Sequence, residues 1–260
     1  MKNKLGCIKS PVSKLDYIIN PLLMGVKDEE QEIDFTKDQS PVKHQKDKGA
    51  CVGFSGVAGK EYQEYKETGN FLDLSEQWLY EKARLLGGYE EGATLIDCFK
   101  ILSKQGVPLD KFWRYTTDKR NIGSPKEGAL ENASIYRISD KLYFRLTKAD
   151  QIRATLLKYG PIQIGVKVYK NWYRQKAGHI PNASLCERVQ GALGGHAIWI
   201  VGHSPKNKEY KFKNSWGTKF GDKGYGYLTE TDIKRSFMDA FAWVDIKNVD
   251  FEKIERVSNV

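Results

Sequence analysis

Three polar residues that lie far apart in the sequence have the side chains needed for nucleophilic catalysis by a thiol. Cys51 is at the start of a predicted helix, and a helix N-terminus together with a neighbouring imidazolium lowers the pKa of a thiol. His196 enters a predicted strand after two glycines, and Asn214 precedes the tripeptide Ser-Trp-Gly. These three side chains could serve as a cysteine nucleophile, a histidine base and an asparagine that accepts the histidine ring N–H.

Each of these residues also has an ordinary structural interpretation. A cysteine that begins a core helix is more often a buried thiol, and a strand histidine is more often a structural hydrogen bonder. Asn214 could simply end a strand before a turn. Gln45, six residues before Cys51, adds a side-chain amide that could bind an oxyanion, so the combination favours catalysis more than any single residue does.

The first half of the chain is predicted to be helical and to position Cys51. Apolar residues recur at three- and four-residue spacing from Cys51 to about Gly69, which is typical of a helix with one buried face. Ser75 is the predicted N-cap of a second helix. A third is predicted over residues 94–105, where Gly106 ends it.

The second half is predicted to be a sheet that positions His196 and Asn214. β-Branched and aromatic residues become frequent after about residue 134, with one predicted helix over about residues 148–158. An antiparallel sheet rolled into a barrel is expected. The predicted strands cover residues 134–138, 161–168, 197–201, 210–214, 225–228 and 240–246.

Three segments resemble the catalytic motifs of papain-like cysteine peptidases. Residues 41–56, PVKHQKDKGACVGFSG, resemble the nucleophile region of that family, with Gln45 in the place of its oxyanion glutamine. GGHAI at 194–198 resembles its histidine motif, and KNSWG at 213–217 resembles its asparagine motif, the most specific of the three. The order is that of the family, and His196 follows Cys51 by 145 residues, within the family's spacing of about 130–150.

The resemblance runs from about residue 33 to the C-terminus and implies an α+β, papain-like fold with two lobes. A helical left lobe is expected over about residues 45–133 and an antiparallel β-barrel right lobe over about 134–260, with the active-site cleft between them. Residues 1–30 are interpreted as an N-terminal extension or leader, and residues 31–260 as the peptidase domain.

The implied activity is that of a cysteine-type endopeptidase that needs no metal or organic cofactor. A Cys51 thiolate, paired with a His196 imidazolium, attacks a peptide carbonyl, while the Cys51 backbone N–H and Gln45 hold the oxyanion and Asn214 orients His196. The pocket for the side chain two residues before the scissile bond is expected to be hydrophobic, with its floor near residues 238–240. The predicted substrate-binding residues are Gly49, Gly92, Thr94, Gly165, Gly195, Ala197 and Trp216.

Departures from the family pattern concern the cysteines and the N-terminus. Val52 replaces the family's usual aromatic residue, and Lys48 replaces a cysteine that usually forms a disulfide. Cys98 and Cys186 are predicted to be unpaired, which favours a reducing, intracellular compartment. About 30 residues precede the matched region, so we expect either constitutive activity or a leader that lies across the cleft.

Composition limits the other classes of function. The net charge of +9 comes from lysines that alternate with acidic residues, which favours a solvated surface over a nucleic-acid site. The sequence contains no run of about 20 apolar residues, so no membrane span is predicted. The protein is expected to be a monomer, and its expected partners are polypeptide substrates and a proteinaceous inhibitor. Three alternatives remain open: an inactive peptide-binding relative, an acyltransferase or transpeptidase that uses the same thioester, and a basic nucleic-acid binder.

Overall fold

The structure is a computed structural model, and it describes residues 4–12, 30–139 and 143–243. The helices in the first half of the chain include the three expected from the sequence, and each of those three begins or ends with a recognisable capping residue. Gly69 adopts a left-handed conformation after the first helix, whereas Ser75 and Thr94 accept backbone N–H groups at the start of the second and third. These helices are α1 (Cys51–Thr68), α2 (Glu76–Leu86), α3 (Leu95–Lys104) and α4 (Ala129–Ile135).

The larger sheet is mostly antiparallel, as the sequence predicts. The described strands are β1 (Cys7–Ile8), β2 (Ile33–Asp34), β3 (Ala93–Thr94), β4 (Tyr143–Leu146), β5 (Ile162–Val168), β6 (His179–Ile180), β7 (Gly194–Ser204), β8 (Glu209–Lys213), β9 (Tyr225–Thr229) and β10 (Phe237–Trp243). In the larger sheet the strand order is β4-β10-β5-β7-β8-β9-β6, and β2 pairs with β7; among the described strands of this sheet, only β6 and β9 run parallel. A second, two-stranded sheet joins β1 to β3 in parallel.

Three further helices lie among these strands: α5 (Ile152–Tyr159), α6 (Leu185–Gln190) and α7 (Glu230–Ser236). The predicted helix over residues 148–158 is confirmed, with a short 3₁₀ turn before α5. The last predicted strand begins earlier than expected, at Phe237, and its predicted residues after Trp243 lie outside the described part of the chain.

The predicted strand over residues 134–138 is wrong, because α4 extends through Ile135. Ala129 and Ala133, four residues apart, are both buried on one face of this helix, whereas Ile135 is exposed. The apolar residues after position 134 were therefore mistaken for a strand, although the preceding alanine, leucine and glutamate residues favour a helix.

Helix α1 packs along β7 and brings the two halves of the fold together. Its Gly59 faces two indole rings: a Cβ atom there would lie 2.6 Å from Cζ2 of Trp243 and 2.8 Å from Cη2 of Trp199. Buried polar contacts also connect the two halves: the Lys213 ammonium donates a hydrogen bond to Ser40 Oγ, and the Ser40 hydroxyl donates one to the Glu61 carboxylate.

In the described part of the chain, no helix is both long and apolar enough to cross a membrane.

The contact between α1 and the two indoles predicts a destabilising effect of Gly59→Ala. Alanine normally stabilises a helix interior by about 1 kcal/mol relative to glycine. Here the added methyl group overpacks the joint, which typically costs about 1–3 kcal/mol. We therefore expect urea denaturation to give a lower unfolding free energy than that of the wild type. An equal or higher value would contradict the packing described for Gly59.

Candidate active site

Cys51 is the first residue of α1 and is fully buried. Burial raises the pKa of its thiol to about 11, while hydrogen bonds from the backbone of Ala197 and of Gly6 act in the opposite direction. Since Ala197 directly follows His196 on β7, the fold brings the predicted nucleophile next to the predicted base. The thiol is neutral in this buried state.

His196 and Asn214 are joined by a short hydrogen bond. The distance from Nε2 of His196 to Oδ1 of Asn214 is 2.8 Å, and both residues are buried. Burial lowers the pKa of His196 to about 4, although the bond to Asn214 raises it. Nδ1 of His196 has no hydrogen-bond partner in the described residues. The imidazole is therefore neutral, with one ring nitrogen held by Asn214.

Two indole rings enclose this hydrogen bond. Trp216 stacks on the imidazole of His196 with 4.7 Å between ring centroids, and Trp172 meets the same ring edge-on at 5.7 Å. Trp216 was predicted to lie at the site, whereas Trp172 was missed because it comes from a 3₁₀ turn far from any motif. The rings keep water from the bond between His196 and Asn214, which strengthens it.

Gln45 is held on both sides of its side-chain amide. Its Oε1 accepts a 2.6 Å hydrogen bond from the Ser215 hydroxyl, and its Nε2 donates to the carbonyl oxygens of Lys48 and Lys4 at 2.8 and 2.9 Å. The backbone N–H of Gln45 also donates to the Ser215 carbonyl. The asparagine motif thus positions Gln45 as well as His196.

The leader segment, which we define as residues 4–12, occupies the space between these residues. Its strand β1 pairs with β3, and the Gly6 carbonyl accepts the Ala93 N–H at 2.9 Å. Gly6 lies so close to the loop before Cys51 that a Cβ atom on it would be 2.0 Å from the Gly49 carbonyl oxygen. The leader segment therefore covers the thiol of Cys51.

Four of the predicted substrate-binding glycines contact the leader segment. A Cβ atom placed on Gly49 or on Gly92 would lie against backbone atoms of Gly6. A Cβ atom on Gly165 would lie against Sγ of Cys7, and one on Gly195 against the carbonyl oxygen of Cys7. Gly92 has a φ of +83°, which favours glycine. The cleft is thus lined with backbone, and its present occupant is the chain's own N-terminal segment.

Thr94 and Ala197, the remaining predicted substrate-binding residues, have other contacts. Thr94 is fully buried and its hydroxyl is engaged with Asp97 as the cap of α3. Ala197 is buried against Cys51 through its backbone. Both border the cleft, but the Thr94 side chain is turned to the helix that follows it.

Asp239 is a polar residue of the cleft that the sequence did not single out, although residues 238–240 were predicted to contain the pocket floor. Its Oδ2 accepts the Ser10 N–H at 3.0 Å, and Oδ1, 3.1 Å from a Cβ placed on Gly165, has no hydrogen-bond partner in the described residues. Arg145 lies 3.6 Å from Asp239 and donates to the carbonyl oxygens of Ser10 and Pro11. This buried ion pair anchors the far end of the leader segment.

Comparison with known proteins identifies the family of this chain. The sequence profile described as papain family cysteine protease matches residues 30–241. This chain belongs to the papain family. The resemblance to papain-like cysteine peptidases that the sequence motifs predict is therefore confirmed.

The curated relatives are distant and longer. The chain is 30% identical over 193 residues to Peptidase 1 of Psoroptes ovis, which is 72% of this chain and 56% of that relative. It is 29% identical over 206 residues to the viral cathepsin of the Cydia pomonella granulosis virus, which is 78% of this chain and 58% of that relative. The chain spans less than two thirds of the length of these relatives.

Solved structures show the same fold. Xylellain, a cysteine protease from Xylella fastidiosa, superposes with a TM-score of 0.82 at 22% identity, over 94% of this chain and 97% of that one. Digestive procathepsin L 3 of Tenebrio molitor gives a TM-score of 0.70 at 19% identity, over 88% and 73% of the two chains. The α+β, papain-like fold expected from the sequence is therefore confirmed over nearly the whole chain.

Lys48, which stands where other papain-family members have a cysteine, makes an ion pair with Glu81 at 2.6 Å. Its ammonium also donates to Gln77 and lies 5.1 Å from the ring centroid of Tyr80. None of Cys7, Cys51, Cys98 and Cys186 forms a disulfide. Among the residues that the structure describes, no group of three side chains is arranged to hold a metal ion.

The fit of Gly6 predicts that a larger residue there expels the leader segment. The methyl group of Gly6→Ala would collide with backbone atoms of Gly49, which cannot move away as a flexible side chain could. We expect at least tenfold faster alkylation of Cys51 by iodoacetamide, followed by peptide mapping. Val12→Ala changes an exposed side chain of the same segment and serves as the control. Equal alkylation rates in the wild type and Gly6→Ala would contradict a leader that covers the thiol.

Proposed function

We propose that this chain is a cysteine peptidase in which Cys51 is the nucleophile, His196 the general base and acid, and Asn214 the residue that orients His196. The observation that carries the proposal is the bond between His196 and Asn214, together with the position of Cys51 beside Ala197. Gln45 and the backbone N–H of Cys51 form the oxyanion site in this proposal.

The hydrogen bonds of Asn214 determine which ring nitrogen of His196 is basic. Oδ1 of Asn214 accepts the Ser215 N–H at 2.8 Å, so this atom acts as an acceptor. Nε2 of His196, which shares that oxygen, must then carry a proton. The lone pair of the imidazole is left on Nδ1, and Nδ1 is the atom without a partner. This tautomer is the one needed to take the proton of Cys51.

Catalysis in this proposal begins when the thiol proton of Cys51 moves to Nδ1 of His196. The sulfur forms a bond to the peptide carbonyl carbon, and the resulting oxyanion accepts hydrogen bonds from Gln45 and the Cys51 backbone. The carbon–nitrogen bond then breaks, and the leaving amine takes the proton from His196. A water molecule, deprotonated by His196, attacks the thioester, and the new acid and the Cys51 thiol are released.

The proposed substrates are polypeptides bound in an extended form. The backbone N–H of Ala93 and the close approach allowed by Gly92 provide a strand-like docking edge, which the leader segment uses in the present structure. The small residues Gly165 and Gly195 border the pocket that holds the Cys7 side chain. Asp239 makes this pocket less uniformly apolar than the sequence suggested.

The direction of the leader segment supports the gated version of the leader hypothesis. In a substrate, the residue in the specificity pocket directly precedes the residue whose carbonyl lies in the oxyanion site. Here Cys7, next to Gly165, comes after Lys4, whose carbonyl accepts the Gln45 amide. The leader segment therefore runs opposite to a substrate and presents no peptide bond in the reactive orientation. We keep residues 1–30 as leader and 31–260 as peptidase domain in this proposal.

Covalent labelling tests the assignment of the nucleophile. A peptide vinyl sulfone is expected to label the full-length Gly6→Ala protein at one site, and Cys51→Ala in that background is expected to abolish the labelling. Cys186→Ala removes an exposed thiol and should leave the labelling unchanged. Labelling that persists in the Cys51→Ala protein, or never occurs, would sink the peptidase assignment.

The role of Asn214 predicts a change in the pH profile. Its hydrogen bond raises the pKa of His196, because the acceptor oxygen stabilises the imidazolium. Without it, as in Asn214→Ala, the imidazolium should lose its proton at lower pH. The alkaline limb of kcat/KM is therefore expected to shift to lower pH, with a loss of about 10²-fold at the optimum. A merely structural role would lower the rate without moving that limb.

A further inference from the structure

Glu91 is an acidic residue beside the catalytic loop for which the mechanism has no use. Its Oε1 accepts the backbone N–H of Gly49 at 3.3 Å. Its Cγ lies 3.2 Å from the position that a Cβ of Gly49 would take. Because Gly49 is two residues before Cys51, these contacts hold the Glu91 carboxylate at the wall of the cleft next to the nucleophile.

The leader segment already places a cation on this carboxylate. Nζ of Lys4 lies 2.5 Å from Oε2 of Glu91. The carbonyl oxygen of Lys4 accepts a 2.9 Å hydrogen bond from Nε2 of Gln45. Thus the residue whose carbonyl occupies the proposed oxyanion site has its own ammonium group paired with Glu91. The side chain of Glu91 is 29% exposed and that of Lys4 is 41% exposed, so the carboxylate is partly shielded from water whereas the ammonium is more open to it.

The charges around Glu91 keep it ionised. Burial acts to raise its pKa, but hydrogen bonds from Lys4 and from the Gly49 backbone, and the charges of Lys4 and Lys119, lower it overall. When the leader segment leaves and takes Lys4 with it, the Gly49 hydrogen bond and the charge of Lys119 still act to lower the pKa of Glu91.

We propose that Glu91 is a specificity-determining residue, and that it selects lysine or arginine as the substrate residue whose carbonyl Cys51 attacks. This inference rests on the proposed function. The contact of Glu91 with Gly49 fixes the carboxylate beside the catalytic loop. Its position is therefore the same for a substrate, although a substrate runs in the opposite direction to the leader segment. Lys4 shows that a lysine whose carbonyl lies at Gln45 has the reach to pair with Glu91.

Two fluorogenic peptides test the proposal with the full-length protein. They are identical except for lysine or norleucine at the residue before the scissile bond, and the quantity measured is the ratio of their kcat/KM values. Release of the leader segment changes the fraction of open enzyme equally for both peptides, so it cancels in the ratio. A partly buried charge pair should give a ratio of about ten in the wild type.

Glu91→Gln keeps the shape of the side chain and removes its charge, so the ratio is expected to fall to about one. Glu90→Gln makes the same change at the neighbouring exposed residue and is expected to retain the ratio of the wild type. Glu91→Lys should favour a peptide with glutamate in place of lysine. A lysine preference that survives in Glu91→Gln, or a wild-type ratio near one, would overturn the role of Glu91.

The outcomes also separate this inference from the proposed function. If the full-length Gly6→Ala protein hydrolyses neither peptide and no thiol-directed probe labels Cys51, the peptidase assignment fails. If both peptides are hydrolysed at equal rates, the peptidase assignment stands and the role of Glu91 is refuted.

Discussion

The packing of α1 along β7 is the contact on which the rest of the site depends. Cys51 begins the helix and His196 lies on the strand, so their proximity follows from how closely these two elements approach. The approach requires glycine in the helix, because any side chain at Gly59 would push against the indoles of Trp199 and Trp243. The proposed catalytic pair, Cys51 and His196, is thus fixed by packing about two helical turns away from Cys51.

Much of this arrangement could be predicted from the sequence. The helix caps and the strand positions are local signals, and the structure confirms most of the predictions made from them. The three motifs predicted the family, which the family profile confirms. The strand expected at residues 134–138 failed because helix propensity in the preceding residues outweighed the apolar run. Trp172, Arg145 and Asp239 could not be assigned, since only the three-dimensional fold brings them to the cleft. Single residues without a motif carry no sign of such long-range contacts.

The electrostatic state of the site follows from the leader segment that covers it. With water excluded, desolvation favours the neutral forms, and it raises the pKa of Cys51 while it lowers that of His196. An ion pair between thiolate and imidazolium needs the opposite shifts, which solvent can support only after the segment leaves. In the proposed mechanism, the leader segment therefore restrains catalysis in two ways, by occupying the cleft and by favouring the neutral thiol of Cys51.

The ion pair between Lys48 and Glu81 stabilises the loop before Cys51 without a disulfide. Lys48 is buried, and its ammonium also donates to Gln77 and to the Thr116 carbonyl. A covalent cross-link depends on the redox potential of its surroundings, whereas a buried, hydrogen-bonded charge pair is indifferent to thiols and little screened by salt. The loop can therefore keep its shape in the presence of the reductants that would keep Cys51, the proposed nucleophile, as a free thiol.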